Sequence, residues 1–300
     1  MKRSRNSSRF VIPVVGLLLA FVLTGFAYAT PDEAKELYND GLKAQQAGNT
    51  DSAIVSYQAA IKADPSFIDS YLNLGAIYFD QQKYDDALSQ FKAAAEGDTT
   101  SVDAYSNIGR VEYLLRRYAE SAAAFKKAIA LNSKDAELYT ELAKVYYRQK
   151  NYDDLVSTLE QGTQLGGGDY LSYYMLGKGY QKQDQTAKAI AAFKKSASMK
   201  EDNYAAEFAL GQIYLGQEKY QSAAGAFAAA LKADPNGFRA AYNYAVAVES
   251  QDQDAIDKNI ANWEQFVRIA RKNPKAKDEV ARAEDHIKEL KDRKEKLDLQ

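Results

Sequence analysis

The chain has no cysteine, a single histidine, a single tryptophan and only five prolines in 300 residues. Without cysteine there is no disulfide framework, no thiolate nucleophile or thiolate metal site, and no cysteine-anchored lipid. The lone imidazole, His286, leaves neither a second nitrogen ligand for a metal nor a histidine-based proton relay. Few prolines leave long helices unbroken. A large excess of either charge is also missing: the formal net charge is −2. The first 29 residues contribute Lys2, Arg3, Arg5 and Arg9 and no acid, so the remainder carries 35 basic against 41 acidic residues. A mildly acidic body lacks the basic surface that displaces counterions from phosphates, which argues against a nucleic-acid partner.

Phosphate loops and serine elbows are missing as well. The run Gly166-Gly167-Gly168 follows a helical stretch, lacks a lysine and reads as a turn. The acid pairs Asp85-Asp86 and Asp153-Asp154 stand where helices should begin, and there they satisfy free N–H groups and the helix dipole. No catalytic, cofactor-binding or metal-binding residue is expected, and no enzyme.

What is present begins with an address. A basic start is followed by an uncharged stretch, residues 10–29, which closes on Ala27-Tyr28-Ala29. This is the three-part pattern of a secretory signal with small residues at the cleavage site, so cleavage after Ala29 is expected. The other reading is an uncleaved anchor, because about 20 apolar residues suffice to span a bilayer. Both place the rest of the chain beyond the cytoplasmic membrane, periplasmic or extracellular. Any membrane contact would be through this segment alone.

The body repeats every 34 residues, in windows 34–67, 68–101, 102–135, 136–169, 170–203 and 204–237. Position 8 holds Gly41, Gly75, Gly109, Ala143, Gly177 and Gly211. Position 7 is Leu74, Ile108, Leu142, Leu176 and Leu210; position 11 is Tyr78, Tyr146, Tyr180 and Tyr214. Position 20 gives Ala53, Ala87, Ser121, Ala189 and Ala223, and position 24 gives Tyr57, Phe91, Phe125, Phe193 and Phe227. Pro65 and Pro235 occupy position 32. Positions 4, 7, 8 and 11 share one face of a first helix and 20, 24 and 27 one face of a second. Small residues at 8 and 20 let the two backbones approach, and rings at 11 and 24 fill what is left. Most of the 22 tyrosines are thereby explained as packing.

This pattern resembles the tetratricopeptide repeat family over residues 34–273. The resemblance implies an all-α, right-handed α-solenoid of antiparallel helix pairs. A seventh repeat, 238–273, needs five extra residues to align Phe266 and Pro274, and Trp263 reads as a core residue. Repeat four departs, with Leu155, Leu159 and Gly162 at positions 20, 24 and 27, which suggests either a repacked interior or a change of curvature. Residues 274–300 form a charged helix with a narrow apolar seam at Val280, Ala283, Ile287, Leu290 and Leu297. A capping helix over the last open core is the favoured role, and self-association through this helix is the alternative.

In this family the first helices line a concave groove. Equivalent positions stack into columns, with packed helices about 8–10 Å apart. Arg110, Lys144 and Lys178 at position 9 should form a basic column. Phe79, Tyr113 and Tyr147 at position 12 should run beside it, with Arg148 and Lys182 at position 13 and Asn73 and Asn107 at position 6. The two-carboxylate clamp of the chaperone-binding members needs Lys and Asn where this chain has Tyr38 and Leu42, so that activity does not transfer. The expectation is a non-catalytic scaffold or adaptor that holds an extended or acidic peptide of another protein in the groove. The alternatives are a self-assembling envelope component and a carbohydrate-handling accessory protein or enzyme.

Overall fold

The computed structural model describes residues 31–299, all in helices and short turns; the leader expected at residues 1–29 lies outside them. The first helices of the seven repeats are α1 (Pro31–Gln46), α3 (Ile68–Asp80), α5 (Val102–Leu114), α7 (Ala136–Gln149), α9 (Tyr170–Lys182), α11 (Tyr204–Gly216) and α13 (Phe238–Gln251). The second helices are α2 (Thr50–Ala63), α4 (Tyr84–Gly97), α6 (Tyr118–Leu131), α8 (Tyr152–Gln164), α10 (Thr186–Met199), α12 (Tyr220–Ala233) and α14 (Ile256–Ala270). A 3-10 turn, Pro274–Ala276, leads into α15 (Lys277–Asp298).

Each helix ends for a local reason. Between the paired helices of the first six repeats one residue adopts left-handed backbone: Gly48, Gln82, Arg116, Lys150, Asp184 and Glu218. The N–H that follows then reaches back five residues, as from Lys83 to the Tyr78 carbonyl at 2.8 Å. This is the closure that satisfies the last carbonyls of a helix. Between repeats, Asp64, Asp98, Asn132 and Asp234 accept from the backbone N–H two residues on, a side-chain turn that competes with helix continuation. At Asp64 and Asp98 the hydroxyls of Ser66 and Thr100, with those N–H groups, hold the carboxyl below its usual range.

The pairs close on the expected contact. A β-carbon at Gly75 would lie 2.6 Å from the Phe91 ring, and one at Gly177 would lie 2.7 Å from Phe193. The small residue at position 8 therefore sets how near the paired backbones come. Repeat four meets the same constraint with different residues: Ala143 and Leu159 are both fully buried, the extra methyl offset by the smaller side chain opposite. Its successor α9 begins in phase at residue 170, so the interior is repacked and the repeat length is kept.

Each helix packs on its chain neighbours, as a solenoid requires. The first helices of successive repeats also touch directly, α3 with α5, α5 with α7, α7 with α9, and α11 with α13, whereas neighbouring second helices do not approach to that degree. The first helices therefore form the inner layer.

In repeat seven, α14 starts two residues later than the period would place it, and Phe266 meets Tyr242 edge-on at 5.3 Å. Helix α15 covers α14 with Val280, Ala283, Ile287 and Leu290. Leu297 does not join this seam; it is 51% exposed. The reason is length: α15 has 22 residues and α14 has 15, so the last turns of α15 run past the surface they would cover. Ion pairs from Lys291 to Glu264, Arg293 to Asp254 and Lys294 to Asp257 flank the seam.

Candidate functional site: the inner groove

Residues one repeat apart meet across the inner layer. The Asn73 amide donates to the Tyr38 hydroxyl at 3.0 Å, and Arg148 Nε donates to the Tyr113 hydroxyl at 2.9 Å with its guanidinium over that ring. Phe79 and Tyr113 each lean edge-on against the tyrosine that opens the second helix of their own repeat, Tyr84 and Tyr118. Tyr147 is half-buried; burial and then Tyr152 push its hydroxyl above the ordinary value. Tyr174, at position 5 of repeat five, shifts upward through burial and the nearby Tyr147. Tyr147 and Tyr174 thus lie near each other at the junction of repeats four and five.

The basic column is interleaved with acids. Arg110 donates to Glu137 of the next repeat at 2.9 Å, and Lys144 donates to Glu141 one turn earlier at 2.6 Å. Lys178 is different: its Nζ donates to the neutral Gln181 at 3.1 Å. Burial, reinforced by the charge of Lys182, holds the Lys178 ammonium below the usual lysine value. Lys182 is exposed, and neither lysine has a carboxylate partner among the described residues. Asn107 is part-buried and has no side-chain partner among them. Uncompensated positive charge thus concentrates at Arg148, Lys178 and Lys182.

Two features lay outside the pattern. Glu112, at position 11 where four other repeats carry tyrosine, is 3% exposed and lies between Lys92 and Arg117 at 3.6 and 3.5 Å. The interrupted tyrosine series was its only sequence signal. His286 sits at the edge of the seam with Nε2 at 2.9 and 3.0 Å from the Glu249 carboxylate oxygens, one of which accepts from the Trp263 indole at 2.7 Å. No group of residues suited to a metal ion occurs among the described residues, and no helix among them is long and apolar enough to cross a membrane.

This architecture is that of an α-solenoid interaction scaffold, a stack of helix pairs presenting one extended inner surface. Models of the TPR repeat match residues 45–82 and 109–150, and models of the tetratricopeptide repeat match 174–237 and 208–255. A crystal structure of MamA is 30% identical, covering 53% of this chain and 93% of that one at a TM-score of 0.50. A second structure of MamA protein is 28% identical over 58% of this chain and 94% of the other, with a TM-score of 0.53. The C-terminal part of a TPR repeat-containing protein from Cytophaga hutchinsonii shares the fold at 17% identity and a TM-score of 0.61, covering 83% and 98%. No curated protein sequence matches. The chain belongs to the tetratricopeptide repeat family.

Proposed function

We propose that this chain is an exported, non-catalytic adaptor that holds an acidic, extended segment of another protein along the inner groove of repeats three to five. The observation that carries this reading is the Lys178–Lys182 pair. A half-buried ammonium facing a second lysine, with no acid to answer either, gains from an incoming carboxylate. Arg148, fixed by Tyr113, extends the same positive strip, and the half-buried Tyr147 and Tyr174 supply apolar contact beside it. Export rests on the basic, apolar and small-residue segments of the first 29 residues.

The test is binding of a labelled peptide containing four consecutive glutamates flanked by apolar residues. The full chain is compared with the variant Lys178→Glu/Lys182→Glu, its helicity checked by circular dichroism. Binding by the wild type and its loss in the variant supports the groove. Equal binding by both overturns it. Export is tested separately by the N-terminal sequence of protein recovered outside the cytoplasm, expected to start at Thr30; recovery in the cytoplasm alone overturns that part.

A further inference from the structure

A cavity lies in the repeats that follow the one carrying Lys178 and Lys182. It occupies about 600 Å³ between α11, α13, α14 and α15, at the far end of the array. Phe208, Phe238, Tyr242 and Phe266 line it with aromatic surface. Arg239, Lys275 and Arg282 line it as well, all three exposed and none in an ion pair among the described residues; the one acid present is Glu279. On α15 itself Lys291, Arg293 and Lys294 find acids, whereas Arg282 does not. What sets Arg239, Lys275 and Arg282 apart is that all three converge on one aromatic-lined cavity. The volume is in the range that encloses small ligands, where an apolar lining binds and a few polar groups orient.

We infer that this cavity is a second binding site, distinct from the groove at Lys178 and Lys182, for a carboxylate that carries a large apolar group. The apolar group lies on Phe208 and Tyr242 and the carboxylate meets Arg239 and Arg282. Arginine suits this role because its planar fork engages both carboxylate oxygens. The site depends on the cap, since Arg282 belongs to α15 and Lys275 to the turn before it. A free small acid and the last residue of a polypeptide share this chemistry.

The chain contains its own reporter. Trp263, the only tryptophan, meets the lining residue Tyr242 edge-on at 5.3 Å. The experiment titrates the full chain with N-acetyl-phenylalanine, N-acetyl-phenylalanine amide and N-acetyl-glycine, following Trp263 emission and two-dimensional NMR. The free acid should give a saturable change, with the amide and the glycine derivative each weaker by roughly tenfold or more, the scale of losing one charge-assisted contact or one ring. Arg239→Glu/Arg282→Glu should abolish the response, while Lys178→Glu/Lys182→Glu should leave it intact. That second result separates this site from the acidic-peptide groove, so either can fail alone. A peptide ending in phenylalanine that binds more tightly than the free acid assigns the ligand to a chain end, and the reverse order assigns it to a small molecule. Equal binding of acid and amide, an unaffected Arg239→Glu/Arg282→Glu variant, or no saturable change in either readout overturns the inference.

Discussion

Gly211 lies directly beneath the ring of Phe227: a β-carbon there would come within 2.5 Å of a ring carbon. In repeat four the same two places hold Ala143 and Leu159, both buried. The molecule thus contains two solutions to one packing problem, and they should not mix freely. Gly211→Ala alone should destabilise by about 1–3 kcal/mol, the usual cost of overpacking. Phe227→Leu alone leaves a void and should also destabilise. The double variant should be more stable than the sum of its parts predicts, by about 1 kcal/mol or more. Urea denaturation of the four proteins measures the coupling, and simple additivity would show that the two residues do not constrain each other.

The left-handed residue between paired helices is glycine only at Gly48; Gln82, Arg116 and Lys150 adopt the same backbone at φ of 59, 60 and 59°. Such a conformation costs a non-glycine residue about 1 kcal/mol. Gln82→Gly should therefore stabilise by somewhat less than about 1 kcal/mol, because added freedom in the unfolded chain offsets part of the gain. Gly48→Gln should lose a similar amount, although open space surrounds it. Thermal melts of both variants check the pair, and the prediction fails if the two shifts share a sign.

Lys178 couples stability to binding. Its folded-state value is depressed by burial and by Lys182, so between the folded and unfolded values the unfolded chain binds more protons. Stability from this group therefore rises with pH through that window, which lies below the ordinary lysine value. Binding of an acidic segment has the opposite slope, since only the charged amine attracts it, and affinity should fall as pH climbs through the same window. Lys178→Met should stabilise the fold slightly at neutral pH, by less than about 1 kcal/mol for a group only partly removed from water, and should flatten the alkaline limb of the binding curve. Calorimetry and peptide titration from pH 7 to about pH 10.5 cover both.

Glu249 holds the cap. Its carboxylate accepts from the Trp263 indole and faces His286 of α15. Glu249→Ala removes the acceptor of a largely buried N–H and should cost about 1–3 kcal/mol. In a stack where each repeat leans on its neighbours the loss should appear locally. Hydrogen exchange is expected to quicken in α14 and α15 and to stay unchanged in α3 to α6; uniform acceleration along the chain would contradict this.

Helix positions were legible because one spacing is imposed repeatedly, and chance does not place Gly75, Gly109, Gly177 and Gly211 in phase. The left-handed turns were not, because Gln82, Arg116 and Lys150 carry no glycine signature. The charge partners of the expected basic column were not legible. Arg110 finds Glu137 in the following repeat, a pairing fixed by side-chain direction across two helices. Leu297 satisfied the seam spacing, yet spacing carries no information on where the partner helix stops. The cavity between α11 and α15 joins residues from four helices and a turn, with no common period.

At four of the six repeat junctions, α7 with α9 among them, the inner helices touch directly, while neighbouring outer helices stand further apart. Mechanically, such an inner contact is a pivot, and each outer helix is tied to the next repeat through that repeat's first helix, as α8 is to α9. The stack should therefore flex as a spring coiled about its inner edge, each joint turning slightly and the turns adding along the chain. Such compliance lets the spacing between Arg148 and Lys182 adjust to what lies across it without the loss of any single helix pair.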